Sequence, residues 1–359
     1  MKKVAVVILN WNTKDYLRRF LPGVIASTFG IDGAEVIVAD NASTDGSVEM
    51  MAESFAGVPL LCFKENYGFT GGYNRALEGL DYEYAVLLNS DVEVKRGWLE
   101  PLLRWMDAHP QCGACGPKLH ALQDPTRFEY AGAAGGLIDR YGYPFCRGRV
   151  LKRVEPDLGQ YDAAPADVLW ITGACLLVRM SVWRALGGLD DRFFAHMEEI
   201  DLCWRMQLAG WKVTLLPESG VCHLGGGTLP ANSPFKLRLN FRNNLLLLEN
   251  NLARTLALRM PAEKAIRRAR RRIFWRRVWD GASAFTYLVS FRFRYFRAVI
   301  TAHAEYRRLR KEVTARELTA SLTATPERPV VQGYCETLWL IPTAFFKGRR
   351  IFSYLKHIV

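Results

Sequence analysis

Short apolar runs alternate with amphipathic stretches through the first part of the chain. The runs Val4–Leu9, Glu35–Ala39, Pro59–Phe63, Tyr84–Leu88 and Gly113–Pro117 predict strands. The stretches between them, Lys14–Ala26, Ser47–Phe55, Gly71–Leu80 and Trp98–His109, predict helices. Strands spaced by helices indicate a parallel, doubly wound sheet. In such sheets ligands bind at the carboxyl ends of the strands. Polar clusters stand at four of those ends: Asn10-Trp11-Asn12, Asp40-Asn41-Ala42-Ser43, Glu65-Asn66-Tyr67-Gly68 and Asn89-Ser90-Asp91. Four polar loops on one edge predict a nucleotide-sized site.

The pattern then breaks. From Gln123 to Asp167 the chain is rich in Gly, Arg, Tyr and Pro, which predicts loops beside the site. Val168–Val178 predicts a strand, Ser181–Leu186 and Glu199–Ala209 helices, and Trp211–Leu216 a further strand. A loop with His223 and Gly225-Gly226-Gly227 follows. Phe235–Asn251 predicts an amphipathic helix. Beyond it come the run Arg267-Arg268-Ala269-Arg270-Arg271-Arg272 and a stretch, Phe274–Arg310, that interleaves arginines with aromatics. Glu317–Gln332 predicts a polar loop, and Leu338–Val359 is apolar and basic. The organisation expected is a catalytic α/β unit over 1–230 and a helical, basic-aromatic region over 231–359.

Composition narrows the class. With 359 residues, half of them hydrophobic, a sizeable core can form, and disorder or a fibre is excluded. The net charge of +12 is local. Residues 254–312 hold 17 Arg or Lys against 4 acids, so the rest of the chain sums to −1. Eight scattered cysteines, some in apolar runs such as Cys62 and Cys175, suit buried thiols in a reducing compartment. Cys112 and Cys115 form a lone pair, better read as small residues in a turn before a strand than as zinc ligands. The first apolar run is too short for a signal-peptide core, and no window reaches the roughly 18 apolar residues of a spanning helix. A cytoplasmic protein is expected.

Some residues carry chemistry. Asp91, after Val86-Leu87-Leu88, is placed to hold a divalent cation that bridges the phosphates of a nucleotide sugar, or else to cap the next segment. Asp40 can accept from the N3–H of a uracil or thymine, and Asp45 or Ser47 suits a helix cap. Gly68, Gly71 and Gly72 allow close backbone approach, and a helix N-terminus there favours phosphate. Glu198, Glu199 and Asp201 crowd a predicted helix start. That suits the helix dipole, and it also suits a general base, because crowded carboxylates raise one another's pKa. His223 is either structural or a second protein ligand for a cation on Asp91.

Seven segments, VVILNWN, ADNASTDGS, ENYGFTGGYNRAL, LLNSDVEV, WITGACLLVR, FFAHMEEIDLCWR and GWKVTLLPESGVCHLGGGT, occur in that order over residues 4–228. Together they resemble glycosyltransferase family 2, and within it the rhamnosyltransferase-like branch. NFRNNLLLLENN, from Asn240, resembles the helix that often follows, and beyond about residue 252 the resemblance fades. It implies a GT-A fold, a Rossmann-like, mostly parallel sheet flanked by helices, with a nucleotide-sugar donor, Mg2+ or Mn2+, and inversion at the anomeric carbon. Asp40 would bind the pyrimidine base. Asn10, Asn12, Asn41, Asn66, Gly68, Asn74, Asn89 and Ser90 would line the donor site, with Gly173 and Ala174 at the sugar. Asn89 stands where the family's metal-binding motif has its first acid, which leaves Asp91 and favours His223 as co-ligand. Glu199 matches the base position of the family's Glu-Asp pair. The pair is Glu-Glu here, so Glu198 is the alternative. Trp170 and Arg205 either wall the pocket or serve packing.

The resemblance favours dTDP-rhamnose as donor, with a UDP-hexose or UDP-galactofuranose as alternatives. It favours a hydroxyl of a saccharide or polyprenyl-linked glycan as acceptor. No Gln-x-x-Arg-Trp segment is present, which favours addition of one sugar over polymerisation. The basic-aromatic region has three readings: an anionic membrane surface, nucleic acid, or packing on the sheet unit with charges in solvent. The first is expected, and with it a peripheral place on the inner face of the cell membrane and no nucleic-acid partner. Two rivals remain in other classes. A nucleotidyltransferase would carry a Gly-rich, Arg- and Lys-bearing loop where Asn10-Trp11-Asn12-Thr13 stands, and a non-catalytic binder would not need Asp91, Glu199 and His223 together.

Overall fold

The computed structural model describes residues 2–225, 233–323 and 329–356. Strands β1 (Lys2–Asn10), β2 (Ala34–Asp40), β3 (Leu60–Cys62) and β4 (Tyr82–Asn89) alternate with helices α1 (Lys14–Thr28), α2 (Ser47–Ser54) and α3 (Gly68–Leu77). The four strands are parallel, side by side as β4-β1-β2-β3. Helices cover both faces, so β1 is apolar without alternation and Val4 to Val7 are fully buried. Register sets Asn10 beside Asp40 and Leu9 beside Asn89, so the polar strand ends share one edge.

Next come β5 (Val92–Val94), α4 (Leu99–Ala108), β6 (Cys112–Ala121) and β7 (Asp124–Phe128). Four short strands follow: β8 (Gly136–Asp139), β9 (Pro144–Cys146), β10 (Arg149–Val150) and β11 (Arg153–Val154). Then come β12 (Ala166–Asp167), β13 (Cys175–Arg179), α5 (Met180–Ala185), α6 (Glu198–Leu208) and β14 (Lys212–His223). The central sheet is mixed rather than purely parallel: β13 runs antiparallel between β4 and β6, and β14 lies parallel to β6. Because β13 starts at the carboxyl end of β4, residues 172–174 join the polar edge, where Asn89 donates its backbone N–H to the Ala174 carbonyl (3.0 Å).

The segment expected as loops forms much of a second sheet, β11-β10-β9-β8-β15, completed by β15 (Tyr334–Cys335). Its strands are too short to show alternation in sequence. Trp170 packs where this sheet meets the first: a Cβ on Gly136 would lie 2.0 Å from its ring, and its Nε1 donates to the Leu137 carbonyl (3.1 Å). It is a core residue, not a pocket wall.

The helical region comprises α7 (Pro234–Ala257), α8 (Ala262–Val289), α9 (Phe293–Leu309), α10 (Ala315–Thr323), α11 (Leu340–Lys347) and α12 (Ile351–Lys356). Among the described residues no helix is long and apolar enough to cross a membrane. In place of the polar loop expected over Glu317–Gln332, α10 occupies its start. Thr314 and Glu317 form a reciprocal cap, Glu317 N to Thr314 Oγ1 (3.2 Å) and Thr314 N to Glu317 Oε2 (2.9 Å). Residues 324–328 of that stretch lie outside the described residues.

Helix α7 reads as amphipathic, but its asparagines face inward. Asn243, Asn244 and Asn251 are buried. Asn250 and Asn251 donate to Asp201 Oδ1 (2.9 and 2.8 Å), and Arg205 Nε donates to Asp201 Oδ2 (2.6 Å). Asp201, wholly buried, thus ties α6 to α7. Its replacement by Ala removes an acceptor from three donors, and only Asn250 and Asn251 keep another, Asp190 and the Leu247 carbonyl. Urea denaturation of Asp201→Ala is expected to show a loss of about 3 kcal/mol. No loss would show that the network is not needed to hold α7.

Two cysteine expectations change. Cys62 is exposed, because β3 is an edge strand. Cys112 and Cys115 are buried inside β6, not in a turn before it.

Candidate functional site

The ends of β1, β2 and β4 are knitted together by their own polar side chains. Asn10 donates to Asp40 Oδ1 (2.8 Å) and to Ser43 Oγ (3.0 Å). Asp40 Oδ2 accepts the Ser43 N–H (2.8 Å). Thr13 donates to Asn10 Oδ1 (2.6 Å), and its hydroxyl also lies 2.8 Å from that of Ser90. Asn12, at φ +53°, accepts the Thr44 N–H (2.7 Å) and holds the loop after β2. Asp45 accepts the amides of Lys14 (2.8 Å) and Ser47 (3.0 Å), the first residues of α1 and α2. It therefore caps two helices. Asp40 and Asn10 are buried but keep acceptor capacity on the carboxylate.

Asp91 follows on the same edge and does not cap a helix. Its Oδ1 lies 3.1 Å from Nε2 of His223, the last residue of β14, and both side chains are buried. The pair forms because β14 and β5 are partners, with His223 opposite Val92. The other face of the imidazole meets Glu129: Nδ1 to Oε2 is 3.5 Å, an electrostatic contact rather than a good hydrogen bond. Burial opposes a charge on His223, but the hydrogen bond to Asp91 and the negative charge of Asp91 and Glu129 outweigh it and raise its pKa to about 10. The edge therefore contains a buried spot built to hold positive charge. Glu129 carries no motif. Only the pairing of β7 with β6, one residue before it, brings it here. Gly225 lies against Glu129, whereas Gly226 and Gly227 lie outside the described residues.

The two glutamates open α6. Glu198 is buried, Glu199 is partly so, and one carboxyl oxygen on each is buried without a hydrogen-bond partner among the described residues. Burial, then the charge of Glu199, drives the Glu198 pKa well up. Burial also raises Glu199, while backbone amides at Glu199, Ile200, Gly173 and Met197 pull it back, leaving it at about 7. Of the two, Glu199 is the carboxyl poised to exchange a proton near neutrality. It sits at the polar edge: a Cβ on Gly173 would lie 3.7 Å from the Glu199 Cβ and 3.1 Å from the Phe69 ring. A larger residue at 173 would fill the space between them.

The approach to these glutamates is strained. Phe194, His196 and Met197 all have positive φ (64°, 71° and 73°), which non-glycine residues rarely adopt. Helix α7 holds the loop in place. The Asn243 amide lies 2.7–2.9 Å from the carbonyls of Phe193, Ala195 and His196, and Arg242 donates to Phe193 O (2.7 Å).

Several residues expected to contact the donor also bond the protein itself. Asn74 bonds Leu189 N and O (2.9 and 2.8 Å) and Asp191 (2.8 Å), so it fixes α3 to a distant loop. Asn41 bonds Asn66 Oδ1 (3.0 Å), Gly68 O (2.9 Å) and Tyr67 N (3.0 Å), and Asn66 accepts Gly68 N (2.8 Å). Those three shape the turn before α3. The N-terminus of α3 is not free for phosphate: the Phe194 carbonyl accepts the amides of Phe69 (2.7 Å) and Thr70 (3.2 Å). Gly68, at φ +71°, is required because any Cβ would meet Phe194 at 2.5 Å. Arg205 donates to Asp201 and to the Leu186 and Gly188 carbonyls (3.0 and 2.8 Å), so it is a packing residue. The edge keeps Asn10, Asn12, Asp40, Asn89, Ser90, Asp91, Gly173, Glu198, Glu199 and His223 in one linked neighbourhood.

Comparison with known proteins agrees with this arrangement. Residues 5–161 match the model of glycosyl transferase family 2. An N-acetylglucosaminyl-diphospho-decaprenol L-rhamnosyltransferase of Mycobacterium tuberculosis is 29% identical over 243 residues, covering 61% of this chain and 75% of the relative. Rhamnosyltransferase WbbL of Escherichia coli is 23% identical over 229 residues, covering 61% and 83%. A crystal structure of GalNAc-T7 with UDP, GalNAc and Mn2+ shares the fold at a TM-score of 0.54 and 17% identity, over 74% of this chain and 51% of that one. Residues 5–161 are thus similar to glycosyl transferase family 2, these two relatives are named rhamnosyltransferases, and the strand order and polar edge belong to a GT-A fold.

Proposed function

We propose that this chain transfers a single sugar, with inversion, from a nucleotide-diphosphate donor to a hydroxyl of a saccharide or polyprenyl-linked glycan at a membrane surface. Rhamnose from dTDP-rhamnose is the donor we favour, since the mycobacterial and E. coli relatives are named rhamnosyltransferases. The acceptor class follows from the diphospho-decaprenol in the mycobacterial name. The observation that carries the reading is two chemistries on one sheet edge: the buried Asp91–His223 pair, two residues beyond Asn89, whose N–H bonds Ala174 O, and the near-neutral Glu199 beside Gly173.

The donor set fits a divalent ion that arrives with its nucleotide. Asp91 and His223 converge on one spot, yet among the described residues no group of three or more His, Cys, Asp or Glu could hold a metal ion alone. Mg2+ and Mn2+ suit such a half-site, completed by phosphate oxygens. Bound there, the ion would supply Lewis-acid stabilisation of charge on the departing diphosphate. The protein's own part is to position and to move a proton. Asp40, with Asn10 holding it, accepts from the pyrimidine N3–H, and Asn89 and Ser90 line the donor. Glu199 takes the proton of the acceptor hydroxyl as that oxygen attacks the anomeric carbon from the face opposite the diphosphate. Glu198, its pKa driven well up by burial and the Glu199 charge, stands beside it.

A donor panel tests the reading, with dTDP-rhamnose, UDP-hexoses and UDP-galactofuranose compared by thermal shift and product release, with and without Mn2+. The expected result is metal-dependent stabilisation and turnover with dTDP-rhamnose. Turnover confined to a UDP sugar would replace the donor, and no turnover with any would remove the transferase reading.

A further inference from the structure

The helical region divides its arginines into two groups. Arg272 bonds Tyr334 and Glu336, and Arg276 bonds Asp280 (2.8 Å); both are buried and hold helices together. The other group lies at the turn between α8 and α9. There Arg292, Arg294 and Arg297 are exposed and have no carboxylate within ion-pair distance among the described residues. They stand among apolar side chains that are also exposed.

On the second half of α8, Phe274, Val278, Phe285 and Val289 recur at helical spacing on one face. The opposite face, with Ala269, Ile273 and Ala284, is buried. Phe291 in the turn is 80% exposed, and Phe293 at the start of α9 is 57% exposed. Elsewhere on α8, Trp279 meets the Trp339 ring at 5.3 Å just before α11, where Phe345 and Phe346 are more than three-quarters exposed. Single exposed apolar residues are ordinary, but an apolar stripe along one helix face that ends in the adjoining Phe291–Phe293 pair marks an interaction surface.

Charge selects the occupant. A second copy of this surface would set arginines against arginines. A nucleic-acid backbone would satisfy the arginines and leave the α8 stripe in water. An anionic bilayer offers hydrocarbon to the phenylalanines and phosphates to the arginines at one depth.

We propose that the α8–α9 end, with Phe291 and Phe293 inserted and Arg294 and Arg297 on lipid phosphates, docks the protein on an anionic bilayer. This deepens the reading of a membrane-borne acceptor and takes its biological sense from it, but the docking is measurable without donor or acceptor. The full chain is sedimented with phosphatidylcholine vesicles, with and without phosphatidylglycerol. Binding is expected only with phosphatidylglycerol and is expected to weaken in high salt. The double variant Phe291→Asp, Phe293→Asp should bind at least roughly tenfold more weakly, as should Arg294→Glu, Arg297→Glu. All four side chains are exposed, so circular dichroism should match the parent. Equal binding to both vesicle types, or binding that neither variant changes, overturns the proposal. So does a concentration-dependent dimer that the phenylalanine variant dissolves, since the face would then belong to a second copy. Transfer to a water-soluble acceptor separates the two readings. Vesicle binding without any transfer overturns the enzyme reading alone, and transfer without vesicle binding overturns the docking alone.

Discussion

Glu199→Gln is expected to lower sugar transfer by about 10²- to 10⁴-fold, the usual worth of a general base, and to make the protein more stable near pH 8. Both results follow from one pKa. The Glu199 pKa is raised from an ordinary 4.5 to about 7, chiefly by burial. Between those values the folded chain keeps a proton that the unfolded chain has released. Stability therefore falls as pH rises through that window, and the loss is complete above the folded value. Glutamine cannot ionise and escapes the loss. The gain should be roughly 1–3 kcal/mol at pH 8 and absent near pH 4, read by urea denaturation at both. The parent's transfer rate should rise with pH through about 7, as the base becomes free. Unchanged transfer in Glu199→Gln would move the role to Glu198, whose pKa, pushed up by burial and by the Glu199 charge, would fall once that charge is gone. Lost activity together with lost stability would mean that the carboxylate is structural.

Much of this site is legible in the order of residues alone, and the physical reason is the parallel sheet. Strands buried on both faces must be continuous apolar runs, so β1, β2 and β4 announce themselves, and whatever polar residues end them must share an edge. That rule places Asp40, Asp91 and their neighbours, and the crowding of acids at a helix start places Glu199. What polarity cannot say is whether an asparagine at a strand end faces a ligand or a backbone. Asn41, Asn66 and Asn74 look like donor contacts in sequence, yet each bonds the protein itself. Glu129 is invisible in sequence because it reaches His223 only through the pairing of β6 with β7, which no local pattern encodes. The second sheet escapes a sequence reading because strands of two to four residues have no period to detect. Helix α10, by contrast, carries a local signal: Thr314-x-x-Glu317 is a capping box.

Asp91→Ala is expected to abolish measurable transfer, with a loss of at least about a hundredfold, and to remove the Mn2+-dependent part of nucleotide binding. Alone, a strand-end aspartate is as well explained by capping, but its carboxylate faces His223 at 3.1 Å and meets no helix start. The two roles separate in a thermal-shift titration with the nucleoside diphosphate, run with and without Mn2+. A cap would cost stability and leave the metal-dependent shift intact. A cation ligand would erase that shift, while metal-free nucleotide binding, which we assign to Asp40 and the Asn10 that holds it, should survive. Glu129→Gln provides the graded comparison. It keeps both candidate ligands but removes the charge behind the imidazole, so Mn2+ affinity should fall by about 10- to 100-fold rather than vanish. If Asp91→Ala keeps a full Mn2+-dependent shift, the ion is held elsewhere, and the Asp91–His223 pair only pins β14 to the end of the sheet.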